Sequence, residues 1–283
     1  MNAVLFVGHG SKKDEGNREV SALTDRLKAD VDADICETCF LEFANPTVHE
    51  GIDRCVAQGA TTVAVIPVMF FSAGHSKLHI PQEIDEAKKR HPGVCFLYGR
   101  PVGIHHQLFD LFDQQLKGLG FHDRDERCHS AVLLVGRGSS DPDANSDLYK
   151  MARLLSERLN GAVVETSFIG VTYPTVEEGV DRCIRLGAME VFIMPYFFFT
   201  GILMDRMGDK LDAFRKMYPE HRFFMSNYVG FHPAIADILI ERVNETFAGR
   251  AKLNCDMCEY RLHALEHMDI HHHHDHGHGH VHS

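Results

Sequence analysis

PTVHEGIDRC (46–55) returns as PTVEEGVDRC (174–183), with eight of ten residues identical and an offset of 128 positions. VLFVGHGS (4–11) returns as VLLVGRGS (132–139) at the same offset. PVGIHH (101–106) answers to YVGFHP (228–233) at an offset of 127, which places a one-residue deletion near 205–222. Self-similarity at a fixed offset means that one supersecondary unit has been duplicated. The chain therefore reads as two copies of a unit of about 120 residues followed by a tail. The predicted divisions are 1–120, 128–248 and 249–283, with a linker near 118–130.

Each copy has the same internal pattern. Ala3–Val7 is a short apolar run, and a polar helical pattern follows over about 14–29. ICETCFL precedes a helix expected to open at Asn45-Pro46, because Asn caps and Pro fits a first turn. TTVAVIPV is the third apolar run, followed by helices near 81–90 and 104–117 on either side of VCFLY. Continuous apolar strands alternating with helices imply parallel sheets covered on both faces. The expected fold is α/β: two pseudo-symmetric doubly wound parallel-sheet domains facing each other.

Bulk properties fit this reading. Of 283 residues, 44% are hydrophobic and 24% charged, as in soluble globular proteins. A net charge of -11 argues against nonspecific nucleic-acid binding. No stretch approaches the roughly 20 apolar residues of a membrane helix, and MNAVLFVGHG lacks the basic region of a signal peptide. A cytoplasmic location is expected, with the eight cysteines mostly thiols. Cys36, Cys55, Cys95 and Cys183 read as small buried residues.

Ligands of open α/β sheets sit beyond the carboxyl ends of the strands. Past the first three strands of copy one stand His9, Glu42 and His75, 33 residues apart each time. In copy two these become Arg137, Gly170 and Leu203. A single histidine there would ordinarily be structural. The joint loss of three polar groups from an otherwise retained scaffold marks them as functional. Two imidazoles and a carboxylate can bind a divalent transition metal or move protons near neutral pH. Gly8 and Gly10 beside His9 are expected to let the backbone approach a ligand. GHGS lacks the full dinucleotide fingerprint, no Walker sequence implies ATP, and no G-x-S-x-G elbow is present. Ser11-Lys12 as part of a hydrolase site is the weaker alternative.

GHGS, LEFANPT and FFSAGHSKLHIP, as a set, resemble the CbiX/SirB family of sirohydrochlorin chelatases, over residues 1 to about 247. That resemblance implies a class II chelatase, inserting Co²⁺ or Fe²⁺ into a tetrapyrrole without ATP. It implies that His9 and His75 bind the metal and act in catalysis, assisted by Glu42. The second copy resembles the non-catalytic half of long family members. The substrate is a polycarboxylate, so Ser11, Lys77 and Arg137 are the candidate substrate-binding residues, with Arg206 weaker; Arg137 stands opposite His9 by pseudosymmetry. His79, equivalent to Met207, has no assigned role.

After Phe247 the pattern changes. Cys255-x-x-Cys258 is followed by His263 and His267, and eight of the last thirteen residues are histidine. Such a tract is expected to be disordered until it binds a metal such as Co²⁺, Ni²⁺ or Zn²⁺. The cysteine pair is half of a four-thiolate site. Long family members resemble this tail and carry an iron–sulfur cluster behind an M-x-C-x-x-C motif, whose leading position is Leu253 here. Cluster, Zn²⁺ site and plain thiols stay open, and missing ligands would come from elsewhere in the chain or from a homodimer partner. Cys36-x-x-Cys39 has the same spacing but lies in a predicted strand. The histidine store favours a cobaltochelatase of cobalamin biosynthesis. A ferrochelatase of siroheme biosynthesis is the alternative, and a cytosolic metallochaperone is the non-enzymatic one.

Overall fold

The apolar runs of copy one form β1 (Asn2–Gly8), β2 (Ile35–Phe40), β3 (Thr62–Val68) and β4 (Cys95–Tyr98). They make a fully parallel sheet of order β2-β1-β3-β4. Copy two supplies β5 (Ser130–Gly136), β6 (Val163–Phe168), β7 (Glu190–Pro195) and β8 (Arg222–Met225), again parallel, in the order β6-β5-β7-β8. Between them run α1 (Asp14–Leu27), α2 (Val48–Ala57), α3 (Gly74–Arg90), α4 (His106–Gly118), α5 (Pro142–Arg158), α6 (Val176–Arg185), α7 (Ile202–Met217) and α8 (Pro233–Phe247). This computed structural model describes residues 1–121 and 129–250. The Cys255-x-x-Cys258 pair, the histidine tract and much of the expected linker lie outside the described residues.

Strand side chains alternate between faces, so each sheet serves two cores. Ala3, Leu5 and Val7 pack with Ile52 of α2 and with Ile80 and Ile84 of α3. Val4 and Phe6 point the other way, toward Leu23 and Leu27 of α1 and Ile235 and Ile238 of α8. In copy two, Leu133 and Val135 pack with Val180 of α6 and Met207 of α7. Val132 and Leu134 join the same cluster as Val4 and Phe6, so the two halves share one continuous core. Cys36 and Cys39 fall on opposite faces of β2, in different clusters.

The last helix of each copy crosses to the other half. α8 packs on β3 and β4, and the buried Arg242 donates through Nε to the Pro101 carbonyl at 3.2 Å and through Nη2 to the Val102 carbonyl at 3.1 Å. Arg100 reaches back to Glu245, at 2.5 and 2.7 Å. In the other direction, Phe112 of α4 meets the ring of Tyr196 beyond β7 at 5.7 Å, and Arg158 of α5 pairs with Asp113 at 2.7 Å. The duplication suggests helices that cover their own sheets, whereas the structure exchanges them.

Three local expectations are corrected. α2 is capped by Thr47, not Asn45: Thr47 and Glu50 form a capping box, with Glu50 Oε2 accepting from Thr47 N at 2.8 Å. The T-x-x-E signal overrides Asn45-Pro46, which forms the cis turn before it. α3 starts at Gly74 rather than near Pro81, because Ser76 Oγ accepts from Ala73 N at 3.0 Å and closes the first turn earlier. Cys95 is exposed and Cys36 half-buried, since β4 and β2 lie at the edges of their sheet. Among the described residues no helix is long and apolar enough to cross a membrane.

Candidate functional site

β1 lies between β2 and β3, so the chain order reverses beside it, which is where ligands of open α/β sheets collect. His9 follows β1 directly. The segment leaving β2 continues alongside it, with Leu41 N donating to Gly8 O at 2.9 Å and Glu42 N to His9 O at 3.0 Å. This crossing is tight enough to require glycine. Gly10 has φ +89°, and a Cβ there would lie 1.7 Å from the Glu42 carbonyl oxygen. The same crossing recurs between Gly138 and Gly170, at 2.0 Å, in the half without His9 or Glu42. The second glycine of GHG thus serves the loop crossing, and it also lines the cleft.

The crossing sets His9 Nδ1 3.2 Å from Glu42 Oε1, with both side chains about one-third exposed. Nδ1 is also 3.3 Å from the Gly10 carbonyl. On the other side of the ring, Arg137 Nη1 is 2.7 Å from His9 Nε2. A guanidinium only donates, so Nε2 is the acceptor and the ring proton falls on Nδ1, toward Glu42.

Arg137 is the repeat equivalent of His9. Phe70 stacks on its own equivalent, Phe198, with ring centroids 4.0 Å apart. A residue that touches its own counterpart lies on the axis relating the copies. The pseudo-twofold therefore runs through His9/Arg137 and Phe70/Phe198, and the carboxyl ends of the two sheets face each other across it.

Around this axis opens a cleft of about 770 Å³. Its wall carries Phe43, Phe70, Phe71, Tyr196, Phe198 and Phe199, contributed by both copies. Phe43 is 57% exposed and its equivalent Val171 is 70% exposed; both line the cleft with left-handed backbone, at φ 62° and 68°. Lys12 Nζ sits 5.2 Å from the centre of the Phe43 ring. Sequence reasoning passed over these aromatics. The signal was there: MFF and YFFF directly follow the third strand of each copy.

The other candidates divide. Ser11 lines the cleft, but its Oγ accepts from Lys13 N at 3.1 Å, as Ser139 Oγ accepts from Asp141 N at 3.0 Å in the second copy. Arg206 lines the cleft and Lys77 does not. Lys77 is buried and bound to Asp141 at 2.8 Å and Asp143 at 2.7 Å. Burial works to lower its pKa, but the two carboxylates outweigh that effect, raise the pKa and hold the ammonium against the second half. That geometry makes Lys77 a clasp between the halves. Lys13 pairs with Asp205 at the symmetry-related place, so the two clasps carry inverted charges. His75 is the second residue of α3, between Gly74 and Ser76, both of which line the cleft; its side chain lies outside the described residues. His79, further along α3, is not part of the cleft wall. Among the described residues no group of three or more His, Cys, Asp or Glu side chains could hold a metal ion.

The CbiX family model matches residues 3–119 and again 131–246. The chain belongs to the CbiX family. It is 51% identical over 272 residues to the sirohydrochlorin cobaltochelatase of Priestia megaterium, covering 96% of this chain and 88% of that one. It is 36% identical over 250 residues to the sirohydrochlorin ferrochelatase of the same organism, covering 88% and 92%. Among solved structures, SirB from Bacillus subtilis with Fe³⁺ superimposes with a TM-score of 0.78 at 33% identity, over 89% of this chain and 98% of that one. The family match falls once on each copy, so the duplication read from PTVHEGIDRC is a tandem pair of CbiX domains.

Proposed function

We propose that this protein inserts Co²⁺ into sirohydrochlorin without ATP, as a class II chelatase. The observation that carries this reading is the His9–Glu42 pair at the mouth of a two-sided aromatic cleft. Insertion forms four metal–nitrogen bonds and releases two pyrrole protons while the cation sheds its water. Apolar walls suit the faces of a macrocycle. A neutral imidazole with its proton on Nδ1 offers Nε2 to a cation, and Glu42 at 3.2 Å holds that tautomer and orients the ring. His9 and Glu42 then take the pyrrole protons onward to solvent. His75, two residues into α3, is the second ligand and base in this reading. Arg137, Arg206 and Lys12 supply positive charge for the substrate's carboxylates in an otherwise acidic protein.

In this reading residues 1–120 are the catalytic domain, 128–248 its non-catalytic counterpart, and 249–283 a metal-binding tail. Cobalt is favoured over iron by the higher identity to a cobaltochelatase and by the histidine-rich tail, which suits a store of Co²⁺. Cys255 and Cys258 would contribute two thiolates to an iron–sulfur cluster, completed across a homodimer or from elsewhere in the chain. The test is anaerobic mixing of the purified protein with sirohydrochlorin and either Co²⁺ or Fe²⁺, followed by visible absorption. Insertion of Co²⁺ well above the rate in buffer is expected. A rate equal to buffer with both metals overturns the enzymatic reading, and a preference for Fe²⁺ overturns the choice of metal.

A further inference from the structure

The His9–Arg137 contact bears on the order in which substrates enter. At 2.7 Å the guanidinium consumes the Nε2 lone pair, while Nδ1 is turned to Glu42 and the Gly10 carbonyl. A cation bound through Nε2 needs that same lone pair, so metal and Arg137 exclude each other there. A guanidinium at bonding distance also repels an approaching divalent cation. Arg137 is not locked in place. It is exposed, stands on the segment just after β5, and lines the cleft. Its hydrogen-bond partner among the described residues is His9.

We propose that Arg137 guards the metal-binding nitrogen of His9, and that a carboxylate of the tetrapyrrole draws it away, so that macrocycle binding opens the site to metal. The exchange is favourable in kind. A guanidinium–carboxylate pair is charge-assisted on both sides and can be bidentate, whereas the bond to a neutral imidazole is single. The arrangement gives the non-catalytic copy a role: at the position where copy one needs a ligand, copy two supplies its competitor. It also keeps His9 from holding Co²⁺ that has no macrocycle to receive it. This inference rests on the reading that His9 binds the metal and that the substrate is a polycarboxylate.

The experiment has two arms on the full-length chain. In the first, Co²⁺ alone is titrated into wild type, His9→Ala, Arg137→Ala and the double variant. Subtracting each His9→Ala titration from its parent removes the contribution of the histidine tail. The His9-dependent affinity is expected to rise about tenfold on Arg137→Ala, since one charge-assisted hydrogen bond no longer has to be broken. In the second arm, initial rates are measured over a grid of Co²⁺ and sirohydrochlorin concentrations. In wild type the apparent KM for Co²⁺ should fall as sirohydrochlorin rises; Arg137→Ala should abolish that coupling, and Arg137→Lys should retain part of it. An unchanged His9-dependent affinity, or coupling that survives Arg137→Ala, overturns the guard. Absence of insertion by wild type overturns the chelatase reading instead, while the first arm still judges the guard.

Discussion

Lys77 and Asp141 form a buried ion pair, 2.8 Å long, that ties α3 of one half to the start of α5 in the other. The pseudo-twofold maps this pair onto Asp205 and Lys13, with the charges exchanged and both groups well exposed. Identical topology therefore gives two clasps of unequal strength. Removing one partner of a buried pair costs about 3–5 kcal/mol, and an exposed pair contributes roughly 0–1 kcal/mol. Lys77→Met should lower the melting temperature by several degrees, and Asp205→Asn should barely move it. Thermal unfolding of the two variants compares them directly; equal shifts would remove the distinction.

The loop crossing is expected to be intolerant in both copies and functional in only one. Gly10→Ala and Gly138→Ala each place a methyl group against a carbonyl oxygen at a position of positive φ. Both should destabilise the fold by about 2 kcal/mol or more. Only Gly10→Ala displaces the His9–Glu42 pair, so its insertion rate should fall well beyond its loss of folded protein. Activity per folded molecule, read beside circular dichroism, separates the two; a Gly138→Ala variant as impaired as Gly10→Ala would contradict the assignment of the site to the first copy.

Glu42→Gln keeps the size of the side chain and removes the charge that holds the Nδ1 proton of His9. A loss of about 10–100-fold in insertion rate is expected, in line with groups that orient a ligating histidine. The melting temperature should change little, because Glu42 is a third exposed. A full-rate Glu42→Gln enzyme would exclude the carboxylate from proton handling.

His105 makes stability depend on pH. Its Nδ1 accepts from Gln107 N at 3.3 Å to cap α4, and its Nε2 is 3.2 Å from Glu241 of α8. Burial lowers its pKa below the usual 6.5, against the Glu241 hydrogen bond and charge, with His106 and Arg242 adding to the lowering. A group with a depressed folded-state pKa contributes its full stability above the unfolded value and loses it as pH falls through the folded value. Stability should therefore decline as pH drops from about 7 to below 6. His105→Asn keeps a capping oxygen and removes the titration, so the decline should be shallower in that variant. Parallel melting curves for the two proteins across this range would refute the assignment.

Much of the fold was legible because its signals are local or repeated. Alternating apolar runs and helical patterns depend on near neighbours, and the duplication checks each element twice. The strand exits could be placed by counting, and His9 and Glu42 do meet beyond β1 and β2. The ion pairs of Lys77 are not legible for the opposite reason: its partners, Asp141 and Asp143, are more than sixty residues away. The start of α3 was misjudged because Pro81 is the louder signal, although Ser76 closes the first turn.

By itself, then, the sequence determined a duplicated parallel α/β scaffold and the polar groups that one copy keeps and the other has lost, since burial of alternating apolar faces leaves few other ways to fold such a pattern. The tertiary structure decided which sheet α4 and α8 cover, because either choice buries the same apolar stripe and only the shared core distinguishes them. It also decided that the copies meet on their own equivalent residues, placing Arg137 against His9 and Phe198 against Phe70. Those contacts depend on how two folded halves dock, which no stretch of chain encodes alone.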